Sequence, residues 1–335
     1  MDLTAVRDDV LSHCDVLQDR QGPYGAYRVA PRKRTDLYSS LDMALARVIM
    51  GEDFRQSLSG MQRREWVEHI NSFAQADGTY TDTFGHSALH ANGMVIGALG
   101  PLDGRQLHPV RLYDAFSDPG DVRPWLEALD WRRQWSQSHK FWGGLLCYSM
   151  SSRCRPEWLE TVFDWLDENL DPQTGWWRRG VKPVNRYEPL GGFVHIAPFY
   201  QHHRRTFPYP RRVIDSVLQL QLEEGVWLNN SHLFPMSYLE LDALYALAFM
   251  TRLAPGYRTA AVLDAVSRYG RVAERFWRTR QRELLARHPH HILAAVGIFG
   301  LLQQILPDEF CDTAAWSDIF SDARLYQTSR VEAGG

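Results

Sequence analysis

The chain has 335 residues, of which 44% are hydrophobic and 23% charged, and its formal net charge is -3. This composition is typical of a folded protein with a sizeable core and excludes intrinsic disorder. Because nucleic-acid binding requires a basic excess or a basic face, we expect no nucleic-acid partner. The N-terminal residues are partly acidic and no apolar run reaches about 18 residues, so we expect a cytoplasmic protein without stable membrane insertion.

Six apolar segments that are rich in small residues recur along the chain. Each opens with an aspartate or a histidine, in order Asp42, His90, His139, His195, Asp242 and His291. A helical hairpin with its two connections occupies about 45 to 50 residues, which is the spacing of these openings. The repeat therefore predicts six hairpins, each containing one such inner helix.

Charge-bearing stretches alternate with the apolar segments along the chain. The stretch 156–167, for example, has apolar residues at i, i+3, i+4 and i+7, which predicts an amphipathic outer helix. Six hairpins can close into a ring without leaving exposed end faces. We therefore predict an all-α fold, an (α/α)6 toroid, as a single domain over residues 1–305. Residues 306–335 form a C-terminal extension with a short helix around Trp316.

A second repeated pattern precedes several inner segments, and it consists of a glutamine, then a glycine, then an aromatic residue. It occurs at 75–80, 173–177 and 221–227, with a weaker form at 21–24. The glycine can end an outer helix in a left-handed conformation, and the aromatic ring can pack beneath the glutamine amide. This pattern predicts a structural role.

In these repeats the sequence resembles the terpenoid-cyclase and protein-prenyltransferase superfamily, whose repeats carry a Gln followed by Gly-x-Trp. The resemblance covers residues 20–305 and implies an α/α toroid that performs isoprenoid chemistry in its central cavity. Other toroids, including unsaturated-glucuronyl hydrolases and polysaccharide lyases, share the architecture with different chemistry. Carbohydrate chemistry is therefore a second possibility.

The segment 238–245 is similar to the acidic motif that opens an inner helix in proton-initiated terpene cyclases. Glu240 and Asp242 take its first two acidic positions, whereas Ala243 stands at the last. The zinc site of protein prenyltransferases has a cysteine two residues after an aspartate, where this chain has Leu244. The resemblance therefore implies a catalytic role for Asp242 but not that zinc site.

The six recurring residues should converge on one cavity, because they recur at equivalent positions of the repeat. Histidine suits proton transfer near neutral pH, and burial raises the pKa of a carboxyl group into the useful range. The predicted catalytic residues are Asp242, His90, His139, His195 and His291. The residues predicted to bind substrate are Asp42, Tyr38, Trp142, Tyr238, Glu240 and Tyr245.

Several alternatives stay open for these residues. Asp42 and other ring residues can be helix N-caps, and the aromatic residues can be core packing. His290 is an alternative to His291 as the residue that faces the cavity. No cofactor is expected, but the i, i+4 spacing of His86 and His90 suits a divalent metal that Asp242 or His139 would complete. The alternative places His86 in the turn before the helix.

We expect an enzyme that performs acid–base chemistry on a small molecule, cyclising or rearranging an isoprenoid-like substrate with Asp242 as the acid. A carbohydrate-active hydrolase or lyase is the first alternative. A non-catalytic toroidal scaffold is the second. The expected partner is a small-molecule substrate, and the sequence does not determine the oligomeric state.

Overall fold

The computed structural model describes residues 1–228, 234–326 and 328. Within these residues every named secondary-structure element is a helix, and the only β-type pairs are isolated bridges. The prediction of an all-α protein is therefore confirmed. None of the described helices has the length and apolar character needed to cross a membrane.

Six helices are buried over most of their length, and they coincide with the predicted inner segments. In chain order they are Leu37–Ile49, Ala88–Leu99, the continuous stretch 134–149, Glu188–His202, Tyr238–Leu253 and Pro289–Ile305. We number them the first to the sixth buried helix. The third contains a π-helical stretch, Phe141–Leu146. Each buried helix contacts the next one in the chain, and the sixth contacts the first.

Six amphipathic helices alternate with the buried ones. They are Leu3–Leu17, Gly60–Asn71, Pro119–Glu127, Pro156–Asn169, Pro210–Leu220 and Thr259–Leu285. Each buries an apolar stripe and leaves polar side chains on its other face, as expected for a helix with one packed side. Three of them begin with proline, whose fixed φ angle suits the first turn of a helix.

The buried helices begin before their ring residues. Asp36 and Ser87 are the N-caps of the first and second buried helices, and their side chains accept hydrogen bonds from the backbone N–H groups of Ser39 and His90. Asp42 and Asp242 lie inside their helices. The capping explanation of these two aspartates is therefore wrong, and their burial requires another explanation.

The repeated glycine–aromatic pattern has a structural role in the turns. Gly78, Gly175 and Gly225 all have positive φ angles, as the pattern predicts, although each lies beyond the helix end rather than at it. In the weaker form, 21–24, Gly22 does not have a positive φ angle, and the glycine that does is Gly25, directly after it. The indole N–H groups of Trp177 and Trp227 donate to carbonyls of the preceding amphipathic helix. These bonds tie each turn to that helix.

The C-terminal segment is irregular where a helix was predicted. Residues around Trp316 are not helical, and the described part ends in a short 3-10 turn at Ala323–Tyr326. Asp312 accepts a hydrogen bond from the Trp316 indole at 2.8 Å and pairs with Arg7 at 2.7 Å. The segment is therefore held against the first amphipathic helix.

Candidate active site

The buried helices enclose a cavity of about 180 Å³. Its wall carries side chains from the second to sixth buried helices, from the turn before the second, and from the C-terminal segment. These residues are His86, His90, Met94, Trp135, His139, Trp142, His195, Tyr238, Asp242, His290, Ile319 and Phe320. An apolar cavity of roughly 150 Å³ holds benzene, so this cavity suits a molecule of about that size or slightly larger.

Six of the predicted site residues line this cavity: Asp242, His90, His139, His195, Trp142 and Tyr238. The prediction for His291 is wrong by one residue, because His290 lines the cavity instead. The half-buried ring of His291 lies next to that of Phe234, with ring centres 6.0 Å apart. Asp42 and Tyr38 lie behind the wall, where they contact its histidines.

Glu240 and Tyr245 are buried away from the cavity, contrary to the prediction that they bind substrate. The Glu240 carboxylate accepts hydrogen bonds from the backbone N–H groups of Trp227 at 2.9 Å and Leu228 at 3.1 Å. The Tyr245 hydroxyl donates to the Gln201 side-chain oxygen at 2.8 Å. Both side chains therefore have structural roles, and Glu240 fastens the chain that leads into the fifth buried helix.

Asp42 orients a cavity histidine. Its Oδ1 lies 2.9 Å from Nδ1 of His290, which comes from the other end of the chain. Burial raises the pKa of Asp42 well above its usual value and lowers the pKa of His290 to about 3. Burial thus favours a neutral pair that shares one proton. Tyr238 supports the same ring, because its hydroxyl donates to the His290 backbone oxygen at 2.9 Å.

Asp242 has no such partner among the described residues. Its carboxyl group is buried at the cavity wall, and Oδ2 has no hydrogen-bond partner among the described residues. Burial, followed by the nearby negative charge of Glu240, raises the pKa of Asp242 well above its usual value. Both effects favour the neutral carboxylic acid, the form that can donate a proton.

His195 has a defined tautomer. Its Nδ1 lies 2.8 Å from the backbone oxygen of Gly191, which can only accept a hydrogen bond, so Nδ1 carries the proton. Ser138 donates its own hydroxyl proton to the Trp135 carbonyl and can accept a second bond from the same Nδ1. The Nε2 atom of His195 consequently has a free lone pair. Burial lowers the pKa of His195 to about 4, so the ring is neutral at pH 7.

Three further histidines form a compact group, which we call the histidine triad: His86, His90 and His139. One ring nitrogen from each lies within 4.8 Å of the other two. Burial is the main cause that lowers all three pKa values, to about 4 for His86 and to about 2 for His139. His86 lies in the turn before the second buried helix, as the alternative interpretation of its position predicts. The other alternative, a shared helical face with His90, is wrong.

Trp135 and Met94 also line the cavity, and neither was predicted. A sequence signal existed for both, since each lies four residues from a ring histidine and thus on the same helical face. Gly191 provides the space for Trp135, because a Cβ atom at Gly191 would lie 2.3 Å from the indole ring. Ile319 and Phe320 carry no comparable signal, since they reach the cavity only through the path of the C-terminal segment.

No protein-family model matches this chain, and neither a curated protein nor a solved structure is found to match it.

Proposed function

We propose that the six hairpins close into an (α/α)6 toroid and that the protein is an enzyme acting by acid–base catalysis in the cavity. Support for closure comes from the contacts between successive buried helices and between the sixth and the first. The Gln and Gly-x-Trp repeats, which resemble those of terpenoid cyclases, support the same architecture. The toroid brings residues that are far apart in the chain to one wall.

The observation that carries the proposal is Asp242 at the cavity wall, where burial raises its pKa and where Oδ2 has no hydrogen-bond partner among the described residues. Asp242 donates its proton to a carbon–carbon double bond of the substrate, leaving a carbocation and the Asp242 carboxylate. The neutral Nε2 of His195 removes a proton from the neighbouring carbon, which restores a double bond at a new position. Return of that proton from His195 to Asp242 through solvent completes the cycle.

The size and charge of the cavity limit the substrate. About 180 Å³ accommodates an isoprenoid-like molecule of five to roughly ten carbons but not a long prenyl chain. None of the described lining residues is a lysine or an arginine, so nothing in the described wall would neutralise a diphosphate. The best-supported substrate is therefore a short, uncharged isoprenoid-like alcohol. The indole ring of Trp142 would stabilise the carbocation through a cation–π contact.

A monosaccharide is the second candidate. The wall combines two tryptophans, on which a sugar ring stacks, with the polar edges of five histidines and the Tyr238 hydroxyl. In that case the neutral Asp242 acts as the acid that protonates the leaving oxygen. A non-catalytic scaffold is less well supported, because a cavity without a substrate does not explain the unpartnered acid.

Turnover of both substrate classes in D2O tests the proposal. The probes are 3-methyl-3-buten-1-ol and geraniol for the first class and methyl glycosides of the common hexoses for the second. We expect the wild type to isomerise or cyclise an isoprenoid alcohol with incorporation of deuterium, detected by NMR and mass spectrometry. Asp242→Asn should lower the rate by about 10²- to 10⁴-fold, the usual contribution of a general acid.

Asp167→Asn is a matched control, because the Asp167 carboxylate lies outside the cavity and accepts a hydrogen bond from Tyr200. This variant should keep the wild-type rate. Cleavage of a glycoside would instead favour the carbohydrate function. An Asp242→Asn variant that folds and keeps full activity would refute the role of this residue as the acid.

A further inference from the structure

We propose that the histidine triad of His86, His90 and His139 binds one divalent transition-metal ion of the zinc type. This site lies in the same cavity and deepens the proposed function, but metal binding can be measured without any substrate. The triad side chains come from two buried helices and the turn before one of them. The fold, rather than a local motif, therefore brings these ligands together.

The ring nitrogens of the triad lie within reach of one shared metal ion. The ring centres are 4.1 Å apart for His86 and His90, 4.6 Å for His90 and His139, and 5.3 Å for His86 and His139. Tetrahedral zinc with bonds of about 2.0–2.1 Å places its ligand nitrogens about 3.4 Å apart. Ring nitrogens within 4.8 Å of one another reach this geometry by moving about 1 Å or less.

The surroundings of the triad leave its nitrogens available for a metal. The His139 ring makes no hydrogen bond to the described residues, although it is half-buried at the cavity wall. Three imidazoles whose nitrogens lie this close together in one cavity wall form a ligand set that fits a shared cation.

The Tyr38 hydroxyl contacts two of the three rings, those of His90 and His86. Its hydroxyl oxygen lies 3.0 Å from Nδ1 of His90 and 3.3 Å from Nδ1 of His86. Metal-binding histidines usually donate their second ring N–H to a neighbouring group, which fixes the ring orientation. Tyr38 can accept both N–H groups, and this leaves the Nε2 atoms of the two rings for the ion.

The ligand set also indicates the metal and its role. Imidazole nitrogen suits zinc and neighbouring transition metals, whereas magnesium and calcium prefer oxygen ligands. Three protein ligands leave a fourth position on the ion for water or for a substrate oxygen. Because Asp242 lines the same cavity, an alcohol oxygen on the metal would lie in the same chamber as the acid.

Metal analysis of the tag-free, full-length protein tests this proposal. The protein is stripped with a chelator, reconstituted with Zn²⁺, desalted and analysed by mass spectrometry for zinc per chain. We expect about one zinc in the wild type and less than about one-tenth in His90→Ala and His139→Ala. Tyr38→Phe should weaken zinc binding by about 10- to 100-fold.

His108→Ala is the control, because His108 is not among the residues that line the cavity, and it should keep the zinc. Circular dichroism checks that each variant folds. If His90→Ala and His139→Ala fail to fold, His86→Ala replaces them, because His86 lies in a turn. The visible spectrum of the Co²⁺-loaded wild type then reports whether histidine nitrogens bind the ion. A wild type that holds less than one-tenth of a zinc, or folded triad variants that keep it, overturns the proposal.

The failure of this proposal is distinguishable from that of the proposed function. Asp242→Asn should lose turnover but keep the zinc. A wild type that turns over substrate but does not retain zinc after reconstitution would overturn only the metal site. A zinc-loaded protein without any turnover would overturn only the enzymatic proposal.

Discussion

Asp42 and Asp242 differ in their surroundings although they occupy equivalent positions in two repeats. Both are buried inside a buried helix, four residues after a tyrosine. Each has one oxygen without a hydrogen-bond partner among the described residues, but Asp42 lies behind the cavity wall with its other oxygen bonded to His290, whereas Asp242 lines the cavity. A repeat therefore places the same residue twice, and the neighbouring helix decides whether it orients another side chain or is free to react.

This difference explains why only one aspartate is assigned as the acid. A buried acid that is satisfied by a partner contributes to stability, whereas an unpartnered one costs stability and is retained where function requires it. The following predictions test the contrast, in addition to the rate and metal measurements proposed above.

A comparison of two alanine variants distinguishes the two aspartates directly. Asp42→Ala and Asp242→Ala remove the same atoms, but only the first leaves His290 without its carboxyl partner. We expect Asp42→Ala to be less stable than Asp242→Ala by about 1–3 kcal/mol, the cost of an unsatisfied buried polar group. Urea unfolding of both variants measures the difference. Equal stabilities would show that the Asp42–His290 bond has no net value.

A smaller effect is expected at Tyr238, which links the two sides of the cavity. It belongs to the same helix as Asp242, but its hydroxyl donates to the backbone of His290. Tyr238→Phe should lower stability by about 0.5–1.5 kcal/mol, the net value of a typical hydrogen bond. Urea unfolding again measures this loss, and an unchanged midpoint would argue against the link.

The contrast also predicts a change in how stability depends on pH. Because the pKa of Asp242 is raised in the folded state, the folded protein keeps a proton that the unfolded chain releases above about pH 3.8. The wild type should therefore lose stability relative to Asp242→Ala as the pH rises from 3.8 towards neutrality. Unfolding at pH 4.5 and pH 7 measures this difference. A difference that does not vary with pH would place the Asp242 pKa near its ordinary value.

The helix pattern contained more information about the site than residue type alone. Glu240 and Asp242 are two residues apart, so they point to opposite sides of a helix and cannot both line one cavity. The structure turns Glu240 towards the backbone of Trp227. Trp135 shares a face with His139 and was therefore predictable. Helical periodicity applied to each candidate would have removed Glu240 from the predicted site and added Trp135.

The sequence by itself determined the alternation of buried and amphipathic helices and the equivalent spacing of the ring residues. Both follow from local apolar periodicity, which a single segment expresses without its neighbours. Only the tertiary structure decided that His290 rather than His291 faces the cavity, because the sixth buried helix is apolar on nearly every side and its own pattern does not fix its rotation. It also decided the separate roles of Asp42 and Asp242. Their partners come from distant parts of the chain, and no local pattern encodes such contacts.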